Sequence, residues 1–103
     1  MSAAATVSTD GWTEWMHEWV AVAEELGIDS APETMLRKVA EEVGEFLVQP
    51  SVNEAIDVLA TVVLWAARSG TPPDELLCQA WARLQVWRRR TYVRQPDGTY
   101  HHV

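Results

Sequence analysis

Basic residues are scarce in this 103-residue chain: eight Lys and Arg stand against fifteen Asp and Glu, for a net charge of −7. That balance argues against a general nucleic-acid surface, because phosphate backbones are held by clustered Lys and Arg, and no nucleic-acid partner is expected. Cysteine is nearly absent. A lone Cys78 has no partner for an internal disulfide and fits a reducing compartment; on a predicted helix it reads as a small buried apolar residue. Long apolar runs are missing too. The longest near-apolar stretch, residues 58–67, is interrupted by Thr61 and falls far short of the about 20 residues that span a bilayer. The first ten residues carry neither the basic flank nor the apolar run of a signal peptide. The expectation is a cytoplasmic protein with no membrane partner. Repeats, low-complexity tracts and a second-domain linker are also missing, so one domain is expected, with 48% hydrophobic residues to supply a modest core.

Tryptophan and helix-patterned acid are what the chain does have. Residues 1–8 are small and polar and read as a flexible N-terminus. Thr9 or Asp10 is suited to cap a first helix, in which Trp12, Trp15, Met16, Trp19, Val20, Ala23 and Leu26 recur at three and four. Gly27 stands where a left-handed cap is expected. The tryptophan stripe reads as core or dimer interface, with stacking of Trp15 and Trp19 on a nucleobase as the sharper alternative. Ser30 to Glu33 reads as a capping box with an early proline, opening a second helix to about Val48. A third spans residues 52–68. Gly70 ends it, and Thr71 followed by two prolines starts a fourth that carries Leu76, Leu77, Ala80, Trp81, Leu84 and Trp87 at core spacing to about Arg90. The fold class is therefore all-α, a four-helix bundle-like domain over residues 9–94, with a short extended tail over 95–103. The segment after Thr91 alternates around a Pro96-Asp97-Gly98 turn signal and reads as a short hairpin or an extended arm. In an extended chain the adjacent His101 and His102 face opposite sides, which argues against a metal shared between them.

The second and third helices carry the chemistry. Glu42 and Glu45 are spaced i, i+3, as are Glu54 and Asp57, and eight residues separate the two pairs. At about 100° per residue, Lys38, Glu42 and Glu45 fall within roughly 60° of one another beside the apolar stripe, while Glu41 turns towards solvent. A solvated face with a Lys38–Glu42 ion pair accounts for the first pair in ordinary terms. On the third helix, apolar residues surround nearly the whole circumference, so it is expected to be the buried central helix. Asn53, Glu54, Asp57 and Thr61 form one polar strip of about 100° along it. Charges buried there cost several kcal/mol unless a cation or donors meet them. Ser51 and Glu54 also match a capping box, so capping and ligation both account for Glu54. Asp57 lies beyond the box. Two carboxylate pairs facing each other across a tight hairpin point to a divalent-metal site.

Arg83, Arg88, Arg89, Arg90 and Arg94 make the one basic concentration. It reads either as a helix end balancing its dipole or as guanidiniums that hold phosphates.

The strings EEVGE, at 41–45, and EAIDVL, at 54–59, resemble the MazG-like all-α nucleoside triphosphate pyrophosphatases, in which an ExxE pair on one helix is followed by an ExxD pair on the next. Gly70, the Thr-Pro-Pro-Asp helix start and the basic helix end also fit that layout, so the resemblance covers residues 35–90. The connection between the pairs is shorter than is usual in the family. The resemblance implies an enzyme that cleaves a (d)NTP to the nucleoside monophosphate and pyrophosphate. Glu42, Glu45, Glu54 and Asp57 would hold Mg2+, or alternatively Mn2+. A carboxylate of the first pair, Glu42 or Glu45, would act on the attacking water, and Lys38 and Arg83 would contact phosphate. It further implies a bundle completed by homo-oligomerisation, as a homodimer or dimer of dimers. The rival from another class is a non-catalytic helical interaction module with a tryptophan-rich binding face.

Overall fold

The computed structural model describes residues 9–28 and 31–103, and side chains of the first helix from residue 11 onwards. The expected flexible N-terminus, the cap by Thr9 or Asp10 and the Ser30 end of the expected capping box lie outside that description. Four helices follow one another: α1 (Thr9–Glu25), α2 (Pro32–Val48), α3 (Val52–Arg68) and α4 (Pro73–Arg88). A two-stranded hairpin of β1 (Tyr92–Arg94) and β2 (Tyr100–His102) closes the described chain.

Helix ends fall where the sequence punctuates. Gly27 and Gly70 take φ of 67° and 99°, a region that glycine enters without the steric penalty of a Cβ. The N-cap of α2 is Ala31, which has no side-chain oxygen to cap with, and Pro32 at the first helical position supplies a preset φ. The N-cap of α4 is Pro72, likewise without a side-chain bond, and α4 stops at Arg88, short of Arg90. Among the described residues the one capping side-chain oxygen is Ser51 Oγ of α3, which accepts from Glu54 N–H at 3.1 Å.

α2 and α3 form an antiparallel hairpin around Gln49, Pro50 and Ser51. α1 lies along α3 in the same direction: Trp19 Nε1 donates to the Ala60 carbonyl at 2.7 Å, and Arg68 Nη1 at the far end donates to Glu24 Oε1 at 3.0 Å. The core sits where the three meet. Ala23, Met35 and Leu64 are buried together, with Trp19, Val20 and Trp65 packed around them. At the start of α4, Asp74 Oδ1 lies 2.9 Å from His17 Nε2 of α1.

Three expectations about burial fail. α3 is not enclosed all round: Thr61, Val63, Leu64 and Ala66 are buried, but Ile56, Leu59 and Val62 are exposed. The α4 stripe is mostly uncovered, since Pro73 is its sole buried residue and Trp81 and Trp87 stand 52% and 47% exposed. Cys78 is exposed as well. The physical reason is common to all three. A stripe at helical spacing marks a face that favours burial, and among the described residues nothing covers that part of it.

Of the two forms the tail signals allow, hairpin and extended arm, the chain takes the hairpin. Its turn is closed by Gly98 N–H to the Gln95 carbonyl at 2.9 Å, with Gly98 at φ 90°. Asp97 Oδ1 accepts from Thr99 N–H at 3.0 Å and Thr99 Oγ1 at 2.6 Å; these bonds favour the carboxylate and lower the Asp97 pKa. The ladder pairs residues on both sides of the expected division at 94/95.

Candidate metal centre

The helical rotation of α2 and α3 decides which acids meet. Glu42 is buried at 8% exposure, whereas Glu41 faces solvent, as the spacing predicts. Across the hairpin, Glu54 and Asp57 lie one turn apart on α3. Glu42, Glu54 and Asp57 each present a carboxylate oxygen, and these oxygens lie within 4.8 Å of one another. Around α3 the acids and Thr61 occupy one side; Ile56 and Leu59 lie about 140–200° from Glu54 at helical geometry. Thr61 spends its hydroxyl on the Val58 carbonyl, 2.8 Å away, and so donates to none of the acids.

Two oxygens in this group are unsatisfied. Glu42 Oε2 and Glu54 Oε2 are buried and have no hydrogen-bond partner. An unpaired buried carboxylate oxygen costs the full loss of its hydration. The opposite half of Glu42 is paired: Lys38 Nζ lies 3.2 Å from its Oε1 and 3.4 Å from Glu41 Oε1. These bonds, Glu42 first, raise the Lys38 pKa. The capping box is half made. Ser51 caps α3 through its oxygen, but the Glu54 carboxylate leaves Oε2 bare. Ligation therefore accounts for this side chain better than capping does. Three oxygen donors from two rigid helices, two of them with a bare buried atom, fit a hard divalent cation such as Mg2+ or Mn2+.

Glu45 stands outside the three-way group, at the rim. It lines an open groove of about 460 Å3 with Gly44, Val48, Gln49 and Glu54. Its carboxyl is held above the ordinary carboxylate range chiefly by the Glu42 charge, with Glu54 and Glu41 adding to the repulsion.

The other predicted residues are distributed unevenly. Trp19 lines a cavity of about 160 Å3 together with Lys38, Thr61, Met35 and Ile28, so Lys38 borders both this cavity and the acids. Trp15 lies elsewhere. With Gly11, Trp12, Ile56 and Leu59 it lines a groove of about 360 Å3, which the rotation of α3 puts on the far side from the acids. Arg83 is not brought to the acids either; its guanidinium carbon sits 5.8 Å from the Trp87 ring centroid, and α4 makes no contact with α2 among the described residues. Gln49 and Gly44 escaped the sequence reading as groove-lining residues. Their one signal is position, Gln49 at the turn between the acid pairs and Gly44 inside the first pair.

No family model matches the chain, and no curated protein does. Among solved structures, it is similar to the cyanophage S-2L MazG-like pyrophosphohydrolase, which was solved bound to dGDP and three catalytic Mn2+ ions per active site. The TM-score is 0.72 at 26% identity, over 87% of this chain and 94% of that one. No helix among the described residues is long and apolar enough to cross a membrane. A likeness over nearly all of both chains coincides with EEVGE and EAIDVL strings whose Glu42, Glu54 and Asp57 meet across one helical hairpin, and the chain shares the all-α fold of the MazG-like pyrophosphohydrolases.

Proposed function

We propose that the chain is a Mg2+-dependent nucleoside triphosphate pyrophosphohydrolase that cleaves a (d)NTP to the nucleoside monophosphate and pyrophosphate. The observation that carries this reading is the pair of buried, unpartnered oxygens of Glu42 and Glu54 beside Asp57, in a fold shared with a pyrophosphohydrolase. Glu42, Glu54 and Asp57 would hold the ion, with Mn2+ as an alternative to Mg2+. Bound there, it would supply charge neutralisation for the polyanionic substrate.

The rest falls to side chains. Glu45, exposed at the mouth of the groove, orients water towards the α-phosphorus and takes its proton. The new bond joins the water oxygen to the α-phosphorus as the α–β bridging bond breaks, and the bridging oxygen leaves with pyrophosphate. Lys38 contacts a phosphate oxygen, because its ammonium borders both the acids and the Trp19 cavity. Trp19 flanks the base in that cavity. Neither Trp15 nor Arg83 receives a role in its own chain's site, since the fold separates both from the acids.

Assembly as a homodimer or dimer of dimers belongs to the same reading. The groove of Trp12, Trp15, Ile56 and Leu59, together with the uncovered α4 face, supplies apolar surface that one copy leaves open.

The test is pyrophosphate release from a panel of nucleoside triphosphates with Mg2+, with Mn2+ and with EDTA. Metal-dependent release that is lost on chelation is expected, together with a metal-induced rise in Tm. No release from any nucleotide, with no thermal shift, would overturn the proposal.

A further inference from the structure

The net charge conceals a segregation. Of the fifteen acids only Asp97 falls after Glu75, whereas five of the eight Lys and Arg do. Arg88 ends α4, Arg89 is its C-cap, Arg90 follows, and Arg94 lies on β1. A helix dipole accounts for cations in the last turn but not for Arg94. Among the described residues none of these four arginines meets a carboxylate.

The hairpin gives this cluster a second component. Tyr92 is paired with His102, and Arg94 with Tyr100. Opposed residues, and residues two apart on a strand, share a face. One face therefore carries Tyr92, Arg94, Tyr100 and His102, with the tyrosines 43% and 62% exposed. Among the described residues the hairpin packs against none of the helices. An isolated two-stranded ribbon is at best marginally stable in water, so a face of this composition, standing clear of the body, suits a ligand that covers it.

We propose that this hairpin face, with Arg88, Arg89 and Arg90 at its root, binds single-stranded nucleic acid. The guanidiniums hold phosphates and the phenol rings stack on bases. The occupant is set by charge complementarity joined to ring chemistry: unpaired cations call for a polyanion, and exposed aromatic faces beside them call for one that carries flat rings. The acidic helices do not cancel the attraction. Charges more than about 10 Å apart are largely screened at 0.1 M salt, and the molecule measures 45 Å along its longest axis. A total charge of −7 argues against nucleic acid only if it is spread evenly.

The experiment is fluorescence anisotropy of labelled 12-nucleotide oligo-dT and oligo-rU, titrated with the full chain in EDTA and 50 mM salt. These conditions keep it independent of the metal-dependent hydrolysis proposed above. Binding with a Kd of about 1–100 µM is expected, weakening with salt at a log–log slope near −0.7 per phosphate held. The combined variant Arg88→Ala, Arg89→Ala, Arg90→Ala should lose at least about tenfold and flatten that slope. Tyr92→Ala with Tyr100→Ala should lose about tenfold at unchanged slope, and Phe at both positions should restore it. Pyrophosphate release should be unchanged in all of them. No anisotropy change with the wild-type chain, or binding indifferent to both sets of substitutions, overturns the proposal. So does an arginine variant whose sedimentation changes while the wild type ignores the oligonucleotides, which would assign the face to contact between copies.

Discussion

Asp57 and Glu54 differ in how much of their position the local backbone explains. Ser51 Oγ caps α3 through the Glu54 N–H, so the backbone of residue 54 is accounted for while its carboxylate is not. Ser51→Ala should cost about 1 kcal/mol of stability in urea titrations and leave turnover intact. Asp57→Asn and Glu54→Gln should abolish metal-dependent pyrophosphate release and keep the helical circular dichroism of the wild type. If Asp57→Asn unfolds the chain instead, its charge is structural. Glu45 makes a pH-dependent prediction. Its pKa is raised in the folded chain, so the folded state holds that proton more tightly than the unfolded state, and stability falls as pH rises through the carboxylate range. Metal-free Glu45→Gln should melt above the wild type at pH 7, with the gap closing as pH falls through that range. An equal gap at all pH values would remove carboxylate repulsion as the cause. Much of this was legible in residue types. A 100° step per residue is enough to send Glu41 to solvent and Glu42 inward. The spacing could not tell that Glu45, on the same helix face, would stop at the rim, because that depends on the crossing of α2 over α3.

Among the elements, α3 shows both how far a pattern can be read and where it stops. Its bounds, 52–68, follow from Pro50, Ser51 and Gly70, strong local punctuators that need no tertiary information. Its burial does not follow, because apolar residues all round a helix state a preference without naming what meets each side. The side against α1 and α2 is closed, with Leu64 fully buried, while Ile56, Leu59 and Val62 stay exposed. Leu64→Ala should therefore destabilise by about 2–5 kcal/mol in chemical denaturation, while Ile56→Ala in a monomeric sample should cost far less. α4 is the stronger case. Its stripe is as regular as that of α1, yet its surface stays open, and a groove of about 230 Å3 lined by Leu77, Ala80, Trp81, Leu84 and Trp87 is left on it. Periodicity counts apolar residues whether the covering surface belongs to the same chain or to another.

At the scale of the whole molecule the uncovered faces add up. The radius of gyration is 16.0 Å, against about 13 Å for a compact chain of this length, and the accessible surface is 7667 Å2, against about 5,800 Å2. The difference, on the order of 1,800 Å2 for one chain, is more than the about 800 Å2 that each partner gives to a standard interface between proteins. Sedimentation equilibrium at micromolar concentration should therefore show a dimer or larger species, and Leu59→Glu, which puts a charge into the groove beside Trp12 and Trp15, should shift it towards monomer. A wild-type chain monomeric at all concentrations would contradict the assembly. The fold class was legible in the sequence and the looseness was not, since helix content depends on local pattern and compactness on who covers whom. The bare oxygens of Glu42 and Glu54 carry this further, to the life of the protein in a cell. A cation that binds only the folded chain lowers the fraction open to proteases by mass action, so scarcity of the ion would thin the protein's numbers by turnover as well as silence each molecule. Abundance would then report the supply of metal.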